Sequence, residues 1–360
     1  MQDYSWYKGR KVLVTGHTGF KGSWLCRMLV KLGAEVTGYS LEAPTNPSLY
    51  DISGLDGKID SVIGDIRDYD KLLEVFTNKQ PEIVFHLAAQ PIVRESYKEP
   101  RYTYETNVMG TVNLLECVRL TDSVVSVVNV TTDKVYLNEE RDEGYREDEM
   151  LDGYDPYSNS KSCSELVTHS YKRSFFDPML EKGERKIVVS TARAGNVIGG
   201  GDFAPDRIIP DCVRAFTKGE RLAVRNPYSV RPYQHVLEPL AIYLTIAMKQ
   251  ERDTSLQGYY NVGPDDCDCV TTGELADLFC KSWGDGAAWD NMAEEEAPHE
   301  AGFLRLNCDK IKKTFGWQPT WHIDEGIRKT VEFSRVWASG GDIPAEMDRE
   351  IDEFLGGLKF

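Results

Sequence analysis

The sequence predicts an α/β fold built on a doubly wound parallel sheet, and three observations carry that prediction. Short β-branched runs in the first half lack polar alternation, helical patterns separate them, and a glycine-spaced turn directly follows the first run. An unbroken apolar run marks a strand buried on both faces. Strands alternating with helices imply a parallel sheet with right-handed crossovers, the Rossmann type of architecture.

In chain order, the strand runs fall at 11–15, 35–39, 61–64, 83–87, 124–130 and 187–191. The first helix is expected over 23–32, where Trp24, Leu25, Met28, Leu29 and Leu32 share a face and Gly33 can stop the helix. Further helices are expected over 70–78, 103–119 and 156–176. From about Arg193 the pattern loosens, with Gly199-Gly200-Gly201, several prolines, and helices near 208–218 and 238–249. Later segments follow at 259–262, 272–283, 309–315 and 324–337. The expected division is a dinucleotide-binding domain over 1–192, to which 233–258 returns, and a smaller, mixed α/β domain over 193–360 packed over the sheet's carboxyl end.

A composition of 41% hydrophobic and 28% charged residues is that of a globular protein with a sizeable core. The net charge of -16 excludes general attraction to nucleic acid or to an anionic membrane, so an anionic ligand must be met by locally placed cations and backbone N–H groups. No stretch approaches the roughly 18 apolar residues of a membrane span, and 1–14 has no basic region followed by an apolar run. A cytoplasmic protein is expected. The eight cysteines are scattered, and the close pair Cys267 and Cys269 lacks the CxxC spacing of a redox or zinc element, so no metal is expected.

The segment Gly16-His-Thr18-Gly19-Phe20-Lys21-Gly22 follows the first strand and opens the first helix, where a dinucleotide pyrophosphate rests on backbone N–H groups and the helix dipole. At the end of the second strand, Tyr39-Ser40-Leu41 lacks the usual acidic residue for the ribose hydroxyls, and Glu42 is shifted. No arginine stands there for a 2′-phosphate, so NAD is the expected cofactor, with NADP left open. Asp65, beside Ile66, is a candidate for the adenine edge and equally for a helix N-cap.

Tyr157 and Lys161 lie one turn apart at the start of a helix opened by Asp155-Pro156. A free tyrosine titrates near about 10, so a nearby lysine cation is expected to lower its pKa until the phenolate can take a hydroxyl proton. Thr132, at the end of the fifth strand, can hydrogen-bond the same hydroxyl.

Taken together, the turn, His86-Leu87-Ala88-Ala89-Gln90, Asn107, Thr132 and Tyr157-xxx-Lys161 resemble the extended short-chain dehydrogenase/reductases. The closing pattern Lys310-Ile-Lys-Lys-Thr-Phe-Gly-Trp317-Gln-Pro, followed by Asp324-Glu-Gly326, is similar too, so the resemblance covers nearly the whole chain. Within that family, 16–24, Thr131-Thr-Asp-Lys-Val-Tyr136 and Arg231-Pro-Tyr-Gln-His235-Val-Leu-Glu-Pro239 most resemble the 4,6-dehydratases of CDP-glucose. The resemblance implies a nucleotide-sugar substrate bound largely by 193–360, and a cofactor lined by Leu87, Ala88, Ala89, Gln90 and Asn107, with Gln90 also reaching the substrate. It also implies an internal redox cycle: oxidation at carbon 4, loss of water across carbons 5 and 6, and return of the hydride to carbon 6.

In that cycle Asp133 resembles the acid that protonates the departing hydroxyl, whereas Lys134 departs from the glutamate of the dTDP-glucose enzymes and leaves the carbon 5 base open. Asn196 and Arg231 are the candidates for the substrate diphosphate, with Arg207 and His235 behind them. Arg207 can equally face solvent or pair with Asp206 or Asp211. His86 is read as a loop-shaping hydrogen-bond donor, and His17 is given no role. Two other readings share these motifs: a nucleotide-sugar 4-epimerase, which Asp133-Lys134 disfavours, and a non-catalytic dinucleotide-binding protein, which an intact Tyr157 and Lys161 disfavour. The helices at 103–119 and 156–176 match those through which the family pairs its subunits, implying a homodimer or homotetramer.

Overall fold

The computed structural model describes residues 3–293 and 304–358. Twelve strands are β1 (Lys11–Thr15), β2 (Glu35–Ser40), β3 (Asp60–Ile63), β4 (Ile83–His86), β5 (Ser126–Thr132), β6 (Val188–Ala194), β7 (Asn196–Ile198), β8 (Leu222–Val224), β9 (Val230–His235), β10 (Tyr259–Val262), β11 (Cys269–Thr271) and β12 (Trp289–Asn291). Seven of them form one parallel sheet in the order β10-β6-β5-β4-β1-β2-β3.

The unbroken apolar runs arise because both faces of this sheet are covered. Val12 and Val14 join a core with Trp24, Leu25 and Met28 of the helix Phe20–Lys31 and with Leu240 and Leu244 of the helix Leu237–Arg252. Leu13, between them, joins the opposite core with Leu72, Phe76, Leu114 and Val118. The strand order reverses about β1, which pairs with β2 on one side and β4 on the other. A crevice therefore opens at the carboxyl ends of β1 and β4, where such sheets take their ligands.

Several boundaries differ from expectation. The first helix starts at Phe20 rather than 23, because the extended backbone of Gly19 serves as its N-cap and Ser23 N–H bonds the Gly19 carbonyl at 2.8 Å. β5 lies two residues later than expected and β6 runs on to Ala194, so both strands carry their polar ends to the crevice. The helix expected over 103–119 begins at Pro100 and is interrupted by a π-helical turn at Glu105–Met109. The one expected over 156–176 breaks similarly at Lys172–Phe176 and continues to Glu181.

β10, grouped by the sequence with the smaller domain, adds to β6 as the outer strand of the main sheet. The helix Leu237–Arg252 lies beneath β5, where Ser126 Oγ donates to the Ala247 carbonyl at 2.8 Å and Gln250 Nε2 to the Val127 carbonyl at 3.0 Å. The remaining strands form two small sheets, β11-β9-β7 and β12-β8, around a separate core that includes Ile209, Phe216, Leu275, Phe279, Ile327 and Val331. The expected range 193–360 also contains 294–303, which lie outside the described residues. A helix absent from the sequence reading, Ile343–Gly357, buries Met347, Ile351 and Phe354 and is pinned to the first helix by Arg27, which pairs with Asp348 at 2.7 Å.

Candidate functional site

The turn after β1 separates glycines fixed by the fold from a glycine that is not. Gly16 has φ +79°, and a Cβ there would lie 2.9 Å from Ala88 N; one on Gly22 would lie 2.1 Å from the Gly16 carbonyl oxygen. At Gly19 a Cβ would meet only the Gly16 oxygen, at 3.4 Å. The protein therefore leaves a cradle over Gly19, at the N-terminus of the helix Phe20–Lys31, which suits an anion approaching backbone N–H groups.

His17, for which the sequence reading found no role, braces this turn. Its Nε2 is 2.7 Å from Ser61 Oγ and its Nδ1 3.1 Å from Ser40 Oγ, and its ring fills the space that Gly38 leaves inside β2. A glycine within a strand pattern was the available signal. Thr18 Oγ1 lies 2.8 Å from Ser40 Oγ and donates to the Leu41 carbonyl at 2.9 Å. Lys21 Nζ donates to Tyr243 OH at 3.3 Å, and burial, with Lys161 and Arg207 adding repulsion, pushes its pKa down to about 7.

Beyond β3, Asp65 accepts from Arg67 N at 2.9 Å and pairs with its guanidinium at 2.6 Å. The N-cap of the following helix is Asp68, which accepts from Lys71 N at 3.1 Å, so the N-cap alternative for Asp65 falls. Ile66 packs where a Cβ on Gly110 would stand, 2.7 Å from its Cγ2.

After β4, Leu87 N and Ala88 N both donate to Thr15 Oγ1 at 3.2 Å, and Leu87, Ala88 and Ala89 remain partly exposed. Gln90 N donates to Asn107 Oδ1 at 2.8 Å, and Asn107 Nδ2 returns bonds to the Gln90 carbonyl at 3.1 Å and Ser160 Oγ at 2.9 Å. Asn107 thus clamps the loop to the helix carrying Tyr157, and it stands in the π-helical turn. The Gln90 side chain is committed to its own loop, through Thr103 Oγ1 at 2.9 Å and Ile92 N at 2.6 Å. His86 spans Thr15 Oγ1 at 2.8 Å and Thr111 Oγ1 at 3.4 Å, and burial, with Lys161 adding, lowers its pKa to about 3.

Asp155 caps the helix Pro156–Tyr171 by accepting from Ser158 N, which sets Tyr157 and Lys161 at its start. Lys161 is buried and donates to the Val130 carbonyl at 3.0 Å; burial pulls its pKa down to about 8, against the opposing charge of Glu165. The tyrosine departs from expectation. Burial pushes the Tyr157 phenol up to about 12, and its hydrogen bond with Thr132 and the charge of Arg207 only partly counter this. A lowered phenol pKa is therefore not a property of the folded chain alone, because burial penalises the phenolate by more than Thr132 and Arg207 favour it.

At the end of β5, Thr132 Oγ1 donates to Asp133 Oδ1 at 2.9 Å. Asp133 is fully buried, and its Oδ2 finds no hydrogen-bond donor among the described residues. Lys134 Nζ stands 3.5 Å from both Asp133 Oδ1 and Asn196 Oδ1. An amine, a carboxyl and a hydroxyl group thus converge beside Tyr157, which is the equipment for moving protons at neighbouring carbons.

The four outer candidates separate. Asn196 on β7 joins the cluster through Lys134. Arg207 pairs with Asp202 at 3.0 Å, not with Asp206 or Asp211, which bind Arg225 and Arg214 instead, and its charge reaches Tyr157 and Lys21. Arg231 is buried on β9 and donates to the Val230 carbonyl at 2.9 Å. His235 is sealed between Trp24 and Trp321, 3.6 Å from the buried Glu350, with its side chain wholly inaccessible. A stack of aromatic residues from distant segments closes over it, so sequence spacing alone left it looking available.

Sequence reasoning also missed Glu165. Its carboxylate accepts from Thr131, Thr191 and Arg193 Nη2 behind the crevice and acts on Lys161. A cavity of about 700 Å³ bordered by Glu165, His169, Arg193, Tyr259 and Lys310 contains neither the turn nor Tyr157.

Comparison with known proteins agrees with this geometry. The family model of GDP-mannose 4,6 dehydratase matches residues 13–330. CDP-glucose 4,6-dehydratase of Salmonella typhimurium is 47% identical over 356 residues, covering 99% of this chain and 99% of that protein. CDP-paratose 2-epimerase of Salmonella typhi is 33% identical over 90% of this chain and 99% of its own. Among solved structures, the UDP-glucose 4-epimerase of Thermus thermophilus in complex with NAD superimposes with a TM-score of 0.77 at 25% identity, covering 90% of this chain and 99% of that one.

Proposed function

The chain belongs to the GDP-mannose 4,6 dehydratase family, and from that premise we propose that it is a NAD-dependent hydro-lyase converting CDP-glucose to CDP-4-dehydro-6-deoxyglucose. The observation that carries this reading is the convergence of Thr132, Asp133 and Lys134 beside Tyr157 and Lys161, in a chain 47% identical to a CDP-glucose 4,6-dehydratase.

NAD would be held over Gly19 and would supply the two-electron acceptor chemistry that oxidation of a sugar hydroxyl requires. Leu87, Ala88, Ala89 and Asn107 would flank it, and Asp65 and Ile66 would border its adenine end. NAD is favoured over NADP because 39–42 holds no arginine for a 2′-phosphate. Tyr157 takes the proton of the carbon 4 hydroxyl, which Thr132 orients, once the charge of the bound dinucleotide offsets the burial that now holds the phenol up. Asp133 gives a proton to the hydroxyl leaving carbon 6, and Lys134 serves the elimination at carbon 5. Asn196, Arg207 and Arg231 meet the substrate diphosphate.

The test is an assay of the purified protein with CDP-glucose, dTDP-glucose, GDP-mannose and UDP-glucose, following the 4-keto product. Turnover confined to CDP-glucose is expected. Epimerised sugar without loss of water would replace the reading by a 4-epimerase, which shares the Tyr157–Lys161 pair.

No helix among the described residues is long and apolar enough to cross a membrane. On this reading the enzyme works in the cytoplasm as a homodimer or homotetramer, and Met109, Leu120, Leu166 and Phe175, exposed on helices at 100–120 and 156–176, are offered for the pairing surface. Gel filtration with light scattering checks this, a monomer being the contrary result.

A further inference from the structure

Far along the chain from the crevice residues of the first half, three side chains of different chemistry point at one another. Cys267 and Asp268 belong to a short turn before β11, and His322 precedes the helix Ile323–Ala338. Cys267 Sγ is 3.9 Å from His322 Nδ1, Asp268 Oδ2 is 2.9 Å from the same nitrogen, and all three ligand atoms lie within 4.8 Å of one another. The sequence discounted Cys267 because its neighbour Cys269 has the wrong spacing; the fold supplies the missing imidazole from 55 residues away.

The geometry excludes a nucleophilic triad. In such a triad the thiol and the carboxylate engage opposite ring nitrogens, so that one activates while the other orients. Here both approach Nδ1, which carries either one proton or one lone pair and cannot serve two partners well. A single point surrounded by sulfur, nitrogen and oxygen is instead the arrangement of a cation site. A tetrahedral zinc ion with bonds of about 2.0–2.3 Å holds its ligand atoms roughly 3.3–3.8 Å apart; Cys267 Sγ already stands 3.9 Å from His322 Nδ1, and Asp268 Oδ2, now paired with that nitrogen at 2.9 Å, would move outward by less than about 1 Å to admit the ion.

The surroundings point the same way. Asp268 is buried, and its second oxygen is fixed by Ile323 N–H at 2.9 Å, which orients Oδ2 as a metal ligand's outer partner would. Cys267 and His322 are exposed, leaving a fourth position open to solvent.

We propose that Cys267, Asp268 and His322 form a binding site for a soft divalent transition-metal cation of the zinc class, which staples the turn before β11 to the start of the helix Ile323–Ala338. The thiolate selects zinc or cobalt over magnesium or calcium.

The test titrates the full-length, chelator-treated protein with Co²⁺, reading the thiolate-to-cobalt charge-transfer band, and with Zn²⁺ in calorimetry and thermal melting. One equivalent should bind, with the charge-transfer band and a rise in melting temperature, while Mg²⁺ and Ca²⁺ give neither. Cys267→Ser should abolish the band, and His322→Gln should weaken Zn²⁺ binding at least about 100-fold, the upper range for loss of even an outer-shell partner. Both substituted positions are exposed, so far-ultraviolet circular dichroism should be unchanged. The proposal is overturned if the parent shows no band, if Cys267→Ser keeps it, or if His322→Gln lowers the melting temperature equally with and without zinc. The last result would make Asp268–His322 a helix-capping ion pair only.

Discussion

Replacing Gly19 by valine should remove dinucleotide binding from a protein that still folds, whereas replacing Gly22 by alanine should damage folding itself. At Gly19 the backbone, with φ -78° and ψ 168°, accepts any L-residue, and the nearest atom to a new Cβ is 3.4 Å away. Losing glycine as N-cap costs about 1 kcal/mol at most, and the stiffer unfolded chain returns about 0.4–1 kcal/mol. The melting temperature should therefore stay within about 2–4 °C of the parent. The cradle, however, would be filled. A phosphate pushed off the helix N-terminus forfeits one or two charge-assisted hydrogen bonds at about 1.5–3 kcal/mol each. NAD affinity should fall at least about 10-fold, or about 1.4 kcal/mol. At Gly22, by contrast, a Cβ would stand 2.1 Å from the Gly16 carbonyl oxygen and 2.8 Å from the His17 Cα, all backbone that no rotamer change can clear. A loss exceeding about 2 kcal/mol of stability is expected. Calorimetric titration with NAD and thermal melting of both variants decide the matter. Valine at 19 binding NAD within about threefold of the parent, or alanine at 22 melting like the parent, would refute the reasoning.

Three further outcomes follow from the same geometry. Tyr157→Phe removes the titrating oxygen and should lower kcat by about 100- to 10,000-fold; activity within a few-fold of the parent would refute its role. Lys134→Met should leave cofactor reduction on substrate addition intact, seen as nicotinamide absorbance, but release little 4-keto-6-deoxy product and lose deuterium incorporation at carbon 5 in heavy water. Blocked reduction, or dehydration at the parent rate, would sink that assignment. His86 is held neutral with a folded pKa of about 3, below the free value, so the unfolded chain binds the extra proton. Its contribution is complete above about pH 6.5 and is lost as the pH falls toward 3, so urea titrations should show the parent's advantage over His86→Gln shrinking by about 2 kcal/mol between pH 7 and pH 5. A pH-independent difference would show that the histidine titrates in the folded state.

The sequence by itself determined the layers, because a strand covered on both faces must be apolar throughout, and Val12, Leu13 and Val14 are. It also determined the turn and the one-turn spacing of Tyr157 and Lys161, since both are local in the chain. Whatever depended on which distant segments meet was decided only by the tertiary structure. Gly16 and Gly22 are glycines for the fold and Gly19 is not, a difference visible only once Ala88 and the carbonyl of Gly16 are in place. His235 looked like a ligand and lies sealed behind Trp24 and Trp321, while His17, which looked idle, holds β2 and β3 to the turn. The tyrosine pKa belongs to the same class: periodicity brings Lys161 near, but the burial that raises Tyr157 is set by the packing around it, and the carbonyl that Lys161 binds, that of Val130, belongs to β5, an element elsewhere in the chain. Local spacing fixes which atoms can be neighbours along one element; burial, and hence the cost of a charge, is set by the elements packed around it.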